Sequence, residues 1–124
     1  MGQLVPRRPA ALALTRQNVP TLDPARVADV ARGGYVLADA EGGAPRVILI
    51  GTGSEVQLGL AARTTLQAEG VPTRVVSTPR TEWFDGQPAG YRESVLPPSV
   101  TARVSVEAGR AMPWYKYVGT AGRC

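Results

Sequence analysis

The sequence predicts an α/β fold in which helices flank a mostly parallel sheet, and the stretch from Arg46 to Gly70 supplies the main reasons. Val47–Ile50 is a continuous apolar run, rich in β-branched residues and too short to span a membrane. Such a run is typical of a strand covered on both faces in a parallel sheet. A glycine-bracketed turn, an amphipathic stretch and a second strand-like run, Thr73–Ser77, follow it. Together they predict one β-α-β unit with a right-handed crossover.

The helix of this unit is predicted to begin directly after the turn at residues 51–54. Thr52 or Ser54 is expected to cap its free N–H groups, and Glu55 complements the helix dipole. Gly70, with a proline two residues later, predicts its end. The face expected to be buried carries one polar residue, Arg63, among the apolar or small residues Val56, Gly59, Leu60, Ala62 and Leu66.

Weaker signals predict the elements before this unit. Residues 10–14, AALAL, are expected to form a short strand that runs into a loop. Asp23 and Pro24 are a helix-start signal, and the short helix that follows should end at Gly33. Tyr35–Ala38 is a candidate strand.

After the unit, residues 78–99 are rich in proline and predict a loop with helical insertions. Thr81–Phe84 could form one turn, and a second helix is expected from Pro88 to the proline pair at residues 97 and 98. Thr101–Val106 alternates like a strand. A turn or two of helix is expected near residues 114–118, after which the chain stops without a closing element.

Bulk properties favour a single soluble domain. The chain has 124 residues, with 44% hydrophobic and 19% charged residues. No apolar run approaches the roughly 18 residues of a membrane span, and no apolar segment follows the two N-terminal arginines, so a cytoplasmic location is expected. The net charge of +4 is dispersed, which argues against a nucleic-acid partner. The single cysteine, Cys124, excludes an internal disulfide.

The turn formed by Gly51, Thr52, Gly53 and Ser54 resembles the start of a dinucleotide-binding loop, because N–H groups at a helix N-terminus favour a phosphate. Val56 stands where the third glycine would be, and no acidic residue ends the next strand. The turn therefore predicts weak phosphate or sulfate binding at most. The alternative is that it serves only as a tight turn and helix cap.

Catalytic groups are scarce. The chain has no histidine, so Ser54 and Ser77 have no histidine base, and Lys116 is the only lysine. Single carboxylates near strand or helix ends are usually structural, and three stand there: Glu55, Glu82 and Glu107. We therefore expect no catalytic residues within this chain alone. The aromatic residues Trp114, Tyr115 and Tyr117 could form a stacking platform or pack at a sheet edge or subunit interface.

Six segments cover nearly all of Ala10–Gly122 in order: ALALTRQN, ARGGYVLADA, VILIGTGSEV, LQAEGVPTRVVSTP, YRESVLPPSVTARVSVEAG and WYKYVG. Together they resemble the C-terminal portion of a transketolase. The resemblance implies that residues 1–20 are the tail of a pyrimidine-binding domain with its linker. It also implies that residues 21–124 form a Rossmann-like three-layer C-terminal domain, truncated at its C-terminal end.

The resemblance also implies a function for the intact enzyme. Transketolases hold thiamine diphosphate and a divalent metal, magnesium or calcium, between the two earlier domains of paired subunits. They move a two-carbon ketol unit from a ketose phosphate to an aldose phosphate. The motifs that hold this cofactor belong to segments outside the present sequence. We therefore expect no cofactor-binding or metal-binding residues here, no activity of the chain alone, and the remaining domains or a second subunit of a homodimer as partners.

One functional position of the family has a counterpart, at Arg16. In Thr15-Arg16-Gln17, the family usually has serine in place of Thr15, and the matching arginine contacts the sugar phosphate. A forked guanidinium suits that role. Two other interpretations stay open: a stand-alone Rossmann-like module that binds an anion or nucleotide or that oligomerises, and a non-functional gene remnant.

Overall fold

A mixed four-stranded sheet forms the centre of the molecule. The computed structural model describes residues 9, 11, 16, 18, 21, 29–107 and 112–124. The strands lie in the order β1-β3-β2-β4; β2 pairs in parallel with both β3 and β4, and β1 is antiparallel to β3. The predicted α/β class with a mostly parallel sheet is confirmed. The strand bounds are Tyr35–Ala38 (β1), Val47–Gly51 (β2), Thr73–Ser77 (β3) and Arg103–Val106 (β4).

Short helices and 3₁₀ turns connect these strands. The α-helices are Val56–Ala68 (α1), Thr81–Asp85 (α2), Ala89–Val95 (α3) and Tyr115–Val118 (α4). The 3₁₀ turns are Val30–Arg32, Gly53–Glu55 and Met112–Trp114. Each helix predicted after residue 46 is confirmed. The helix start at Asp23, and the strand at 10–14 apart from Ala11, lie outside the described residues.

The two faces of the sheet bury two separate apolar clusters. Leu49 and Val75 lie on the α1 side with Val56. Ile48, Ile50 and Val76 lie on the other side, among side chains of the remaining helices: Phe84, Val95, Trp114, Tyr117 and Val118. Side chains alternate across a strand, so the unbroken apolar run of β2 supplies both faces. The result is a three-layer arrangement of helix, sheet and helices.

The aromatic group near the C-terminus is divided between core and surface. Trp114 and Tyr117 are buried, and their ring centroids lie 5.9 Å apart. Phe84 lies 6.2 Å from Tyr117. Tyr115, in contrast, is 60% exposed. Trp114, Tyr115 and Tyr117 therefore do not form one continuous stacking surface.

The predicted start of α1 is wrong in detail. Neither Thr52 nor Ser54 caps the helix; a 3₁₀ turn leads into it, in which the Glu55 N–H donates to the Thr52 carbonyl at 3.1 Å. Ala62 is exposed, because the side of α1 nearest the sheet is set by Val56 and Gly59. A Cβ on Gly59 would lie 3.5 Å from Val75, so a small residue there lets the helix lie close to the sheet.

An isolated bridge lies outside the four named strands. Arg123 pairs in parallel with Val104, extending the sheet beyond β4. Its N–H donates to the Arg103 carbonyl, and its carbonyl accepts from the Ser105 N–H, both at 2.9 Å. A Cβ on Gly122 would lie 2.4 Å from the Val118 carbonyl oxygen, so this approach requires glycine.

Candidate functional site

The turn at residues 51–54 lies where the carboxyl ends of β2 and β4 meet. Gly51 pairs with Val106, so the residues that follow the two strands are brought together. The Thr52 hydroxyl donates to a carboxylate oxygen of Glu107 at 3.1 Å. The Ser54 hydroxyl donates to Glu55 at 3.0 Å. Both hydroxyls of the turn thus face carboxylates, and a bound anion there would meet like charge.

Arg16 is exposed, and it is the one member of Thr15-Arg16-Gln17 that the structure describes. No contact between Arg16 and the turn at 51–54 is found among the described residues. The two sequence-predicted sites therefore remain separate features of the chain.

A cavity of about 550 Å³ lies between α2, α3, the segment that leads into β4, and α4. Phe84, Leu96 and Val118 give it an apolar floor, and these side chains are buried in the core. Its polar lining includes Asp85, Arg92, Glu93, Lys116 and Tyr117. Sequence reasoning missed this cavity, because its walls come from segments some thirty residues apart; the aromatic residues around Lys116 were the one local signal.

A small hydrogen-bonded group stands at the cavity wall. Lys116 Nζ contacts Asp85 Oδ2 at 2.5 Å, and the Tyr117 hydroxyl donates to Asp85 Oδ1 at 2.8 Å. Partial burial raises the pKa of Asp85, but the hydrogen bonds from Lys116 and Tyr117 outweigh it and leave that pKa below its ordinary value. The same contact with Asp85 raises the pKa of Lys116. The pair is ionised at neutral pH.

Arg103 links the segments that form the cavity walls. Its guanidinium donates to backbone carbonyls on three segments: Tyr117 at 2.7 Å, Pro97 at 2.8 Å, Val100 at 2.9 Å and Leu96 at 3.2 Å. Burial lowers its pKa. Since these donors are used within the fold, Arg103 holds the walls together and has little left to offer a ligand.

The described residues offer few features of other site classes. Within residues 29–107 and 112–124, no three His, Cys, Asp or Glu side chains gather in a way that could hold a metal ion. Among the helices described, none has the length and apolar character needed to cross a membrane.

Comparison with known proteins places the chain in one family. The family model described as the transketolase-like TK C-terminal domain matches residues 33–124. The transketolase of Mycobacterium leprae is 56% identical over 118 residues, which cover 93% of this chain and 17% of the relative. Transketolase 1 of Escherichia coli is 58% identical over 116 residues, covering 92% and 17%.

Solved structures agree with these sequence relatives. Transketolase from Leishmania mexicana superposes with a TM-score of 0.76 at 36% identity, covering 87% of this chain and 15% of that one. A Pichia stipitis transketolase complex with sedoheptulose-7-phosphate gives a TM-score of 0.76 at 35% identity, covering 88% and 15%. The chain thus spans about a sixth of the length of the proteins it matches. It belongs to the transketolase family.

Proposed function

We propose that this chain is the C-terminal segment of a transketolase, which in its intact form transfers a two-carbon ketol unit from a ketose phosphate to an aldose phosphate. The observation that carries the proposal is 56% identity sustained over 93% of the chain. Because the chain matches only 17% of that relative, the transferase activity requires the remaining domains. Alone, the chain is inactive.

Thiamine diphosphate with magnesium or calcium supplies the electron sink for carbon–carbon bond cleavage in the intact enzyme. The described residues do not fit this group. The glycine turn presents its hydroxyls to Glu55 and Glu107, and no metal-binding cluster lies among residues 29–107 and 112–124. As the family resemblance implies, we assign the groups that hold the cofactor to the other domains and assign no chemical step to residues of this chain.

The contribution of this chain to the reaction is recognition of the substrate phosphate by Arg16. The side chain is exposed and so is available to a substrate that approaches from another domain. A planar guanidinium binds a phosphate through two parallel N–H···O bonds. Arg16 would thereby orient the phosphorylated end of the sugar while the reacting carbons lie elsewhere.

The partners follow from the same proposal. The remaining transketolase domains and a second subunit, in a homodimer, complete the active site, and sugar phosphates are the substrates. The intact enzyme works in the cytoplasm. Nucleic acid and membranes are not partners. A stand-alone module that binds an anion or a nucleotide at the glycine turn is the weaker proposal, because two carboxylates face that turn.

The proposal is tested by restoring the missing domains. Residues 10–122 replace the equivalent segment of an active transketolase, whose own C-terminal strand and helix are retained. We expect the chimera to transfer ketol units in a coupled assay. The 124-residue chain is the matched control and should show neither turnover nor micromolar binding of thiamine diphosphate with magnesium by calorimetry. An inactive but folded chimera, or cofactor binding by the isolated chain, would contradict the proposal.

A further inference from the structure

The cavity between α2, α3 and α4 has the dimensions and lining of a small-molecule site. Its volume of about 550 Å³ lies within the roughly 300–1,000 Å³ of known ligand pockets. Such pockets combine an apolar surface with a few convergent polar groups. Here the apolar surface open to a ligand includes Pro98 and the half-buried Val100, which lie beside a buried floor of Phe84, Leu96 and Val118. None of the lining residues belongs to the glycine turn or to the Arg16 segment.

The walls of this cavity are pre-formed. Arg103 ties Leu96, Pro97 and Val100 on one wall to Tyr117 on the other through its guanidinium. Tyr117 is further fixed by its hydroxyl bond to Asp85. A wall that is already ordered loses little conformational entropy when a ligand binds, which favours affinity.

Two cations at the cavity remain available to a ligand. Arg92 uses its Nε–H for the Gln87 carbonyl at 3.1 Å, and no bond from its terminal nitrogens is found within the described part of the chain. Lys116 is more than half exposed and has three protons, of which Asp85 takes one. Arg92, Lys116 and Asp85 all line the cavity, and Arg92 adds to the charges that lower the pKa of Asp85.

The acidic side chains do not cancel this preference. The lining holds three cations, Arg92, Arg103 and Lys116, against the two carboxylates of Asp85 and Glu93, so its formal charge is positive even though Lys116 is paired with Asp85. Glu93 is exposed on α3. Among the cations of the lining, Arg92 keeps the most N–H groups unused within the described residues. An oxyanion, such as a carboxylate or a phosphate, can accept hydrogen bonds from the terminal N–H groups of Arg92.

We propose that this cavity binds a small organic oxyanion, a carboxylate or phosphate monoester carried on a ring or aliphatic body. Arg92 and Lys116 hold the oxyanion. The body of the ligand lies against Pro98 and Val100. The site is separate from the proposed contact of Arg16 with a substrate phosphate, since Arg16 is not among its lining residues.

The proposal is tested by titrating the 124-residue chain with four probes, followed by the backbone amide shifts of the cavity residues in NMR spectra. Phenyl phosphate and benzoate carry both features and distinguish the two oxyanions. Inorganic phosphate has the charge alone, and benzyl alcohol has the ring alone. At least one of the first two should bind about ten times or more tightly than either single-feature probe, since a charge-assisted bond and apolar burial then act together. Equal affinities for all four, or shifts outside the cavity, would overturn the proposal.

Matched variants locate the binding energy. Arg92→Gln should weaken the better probe roughly ten- to a hundredfold, as expected for a lost charge-assisted bond, and Arg92→Lys should recover part of it. Arg46→Gln, which neutralises an exposed arginine away from the cavity, is the control and should change nothing. Equal losses for the variants at positions 92 and 46 would overturn the proposal. If the isolated chain associates, the same probes and variants are measured in the chimera, where the same two outcomes support or overturn it.

Discussion

The Thr52 hydroxyl donates to the Glu107 carboxylate across 3.1 Å, which joins the residues that follow two neighbouring parallel strands. A phosphate at the glycine turn would have to displace this bond and then face the carboxylate it releases. The turn is therefore better suited to holding two strand ends together than to holding a nucleotide.

The glycine turn should consequently fail a nucleotide screen. Without a third glycine or a ribose-binding acid, and with Glu55 and Glu107 beside it, we expect no affinity tighter than millimolar for nucleotides at this turn. Isothermal titration calorimetry measures this affinity. Sub-micromolar binding that is abolished by Gly53→Val, but kept by Arg92→Gln, would show that the turn is a nucleotide site after all.

Gly122→Ala should destabilise the chain. The added Cβ would lie 2.4 Å from the Val118 carbonyl oxygen and 2.5 Å from that of Arg103, so Arg123 would be forced away from β4. Overpacking of this kind costs about 1–3 kcal/mol. Urea denaturation measures the free energy of unfolding.

Gly90→Ala is the matched control for that change. Gly90 lies within α3, and a Cβ there meets nothing within 4 Å. Alanine in an open helical position stabilises by about 0.4–1 kcal/mol through the unfolded state. The account of Gly122 is wrong if both substitutions change stability in the same direction.

Asp39 should make stability depend on pH. Partial burial raises the pKa of Asp39, but hydrogen bonds from Arg74 and the Ala40 N–H outweigh it and leave the pKa below its ordinary value. A depressed pKa stabilises the fold above the unfolded value, near pH ~4, and this contribution disappears as pH falls through the folded value. Asp39→Asn should therefore lower the melting temperature near neutral pH, and its effect should shrink as the pH falls through the folded pKa of Asp39.

The size of this effect is limited by exposure, because the Asp39 side chain is 59% exposed. We expect a loss of less than about 1 kcal/mol at neutral pH. Glu69→Gln, at the exposed end of α1, is the control. A difference between Asp39→Asn and the unmodified chain that persists unchanged in strong acid would assign the effect to packing and not to ionisation.

Local patterns predicted the β2-α1-β3 unit, because its signals lie close together along the chain: an apolar run, a glycine turn, helical spacing and Gly70. The direction of β1 was not predictable in this way, since a short strand of alternating burial can pair in either sense. The capping expectation at Thr52 failed for a related reason. Its hydroxyl finds a charged acceptor, Glu107, that is near only after β4 has paired with β2.

The candidate site also combines features with local sequence signals and features that depend on tertiary packing. Arg16 could be singled out because its neighbours in the sequence carry the family resemblance. The cavity could not, because Asp85 and Lys116 become neighbours only when α2 and α4 pack on the same face of the sheet. The pairing of Arg123 with β4 likewise depends on close approach at Gly122, which no local pattern indicates.

The most direct test of the proposed role of Arg16 is to measure kcat/KM for phosphorylated and unphosphorylated acceptors in the chimera, with and without Arg16→Ala. A charge-assisted bond to phosphate contributes about 1.5–3 kcal/mol, so the substitution should lower kcat/KM for the phosphorylated acceptor roughly ten- to a hundredfold. The unphosphorylated acceptor makes no such contact, and its kcat/KM should stay nearly constant. An equal loss for both acceptors would contradict the account, because Arg16 would then support the fold and not recognise the phosphate.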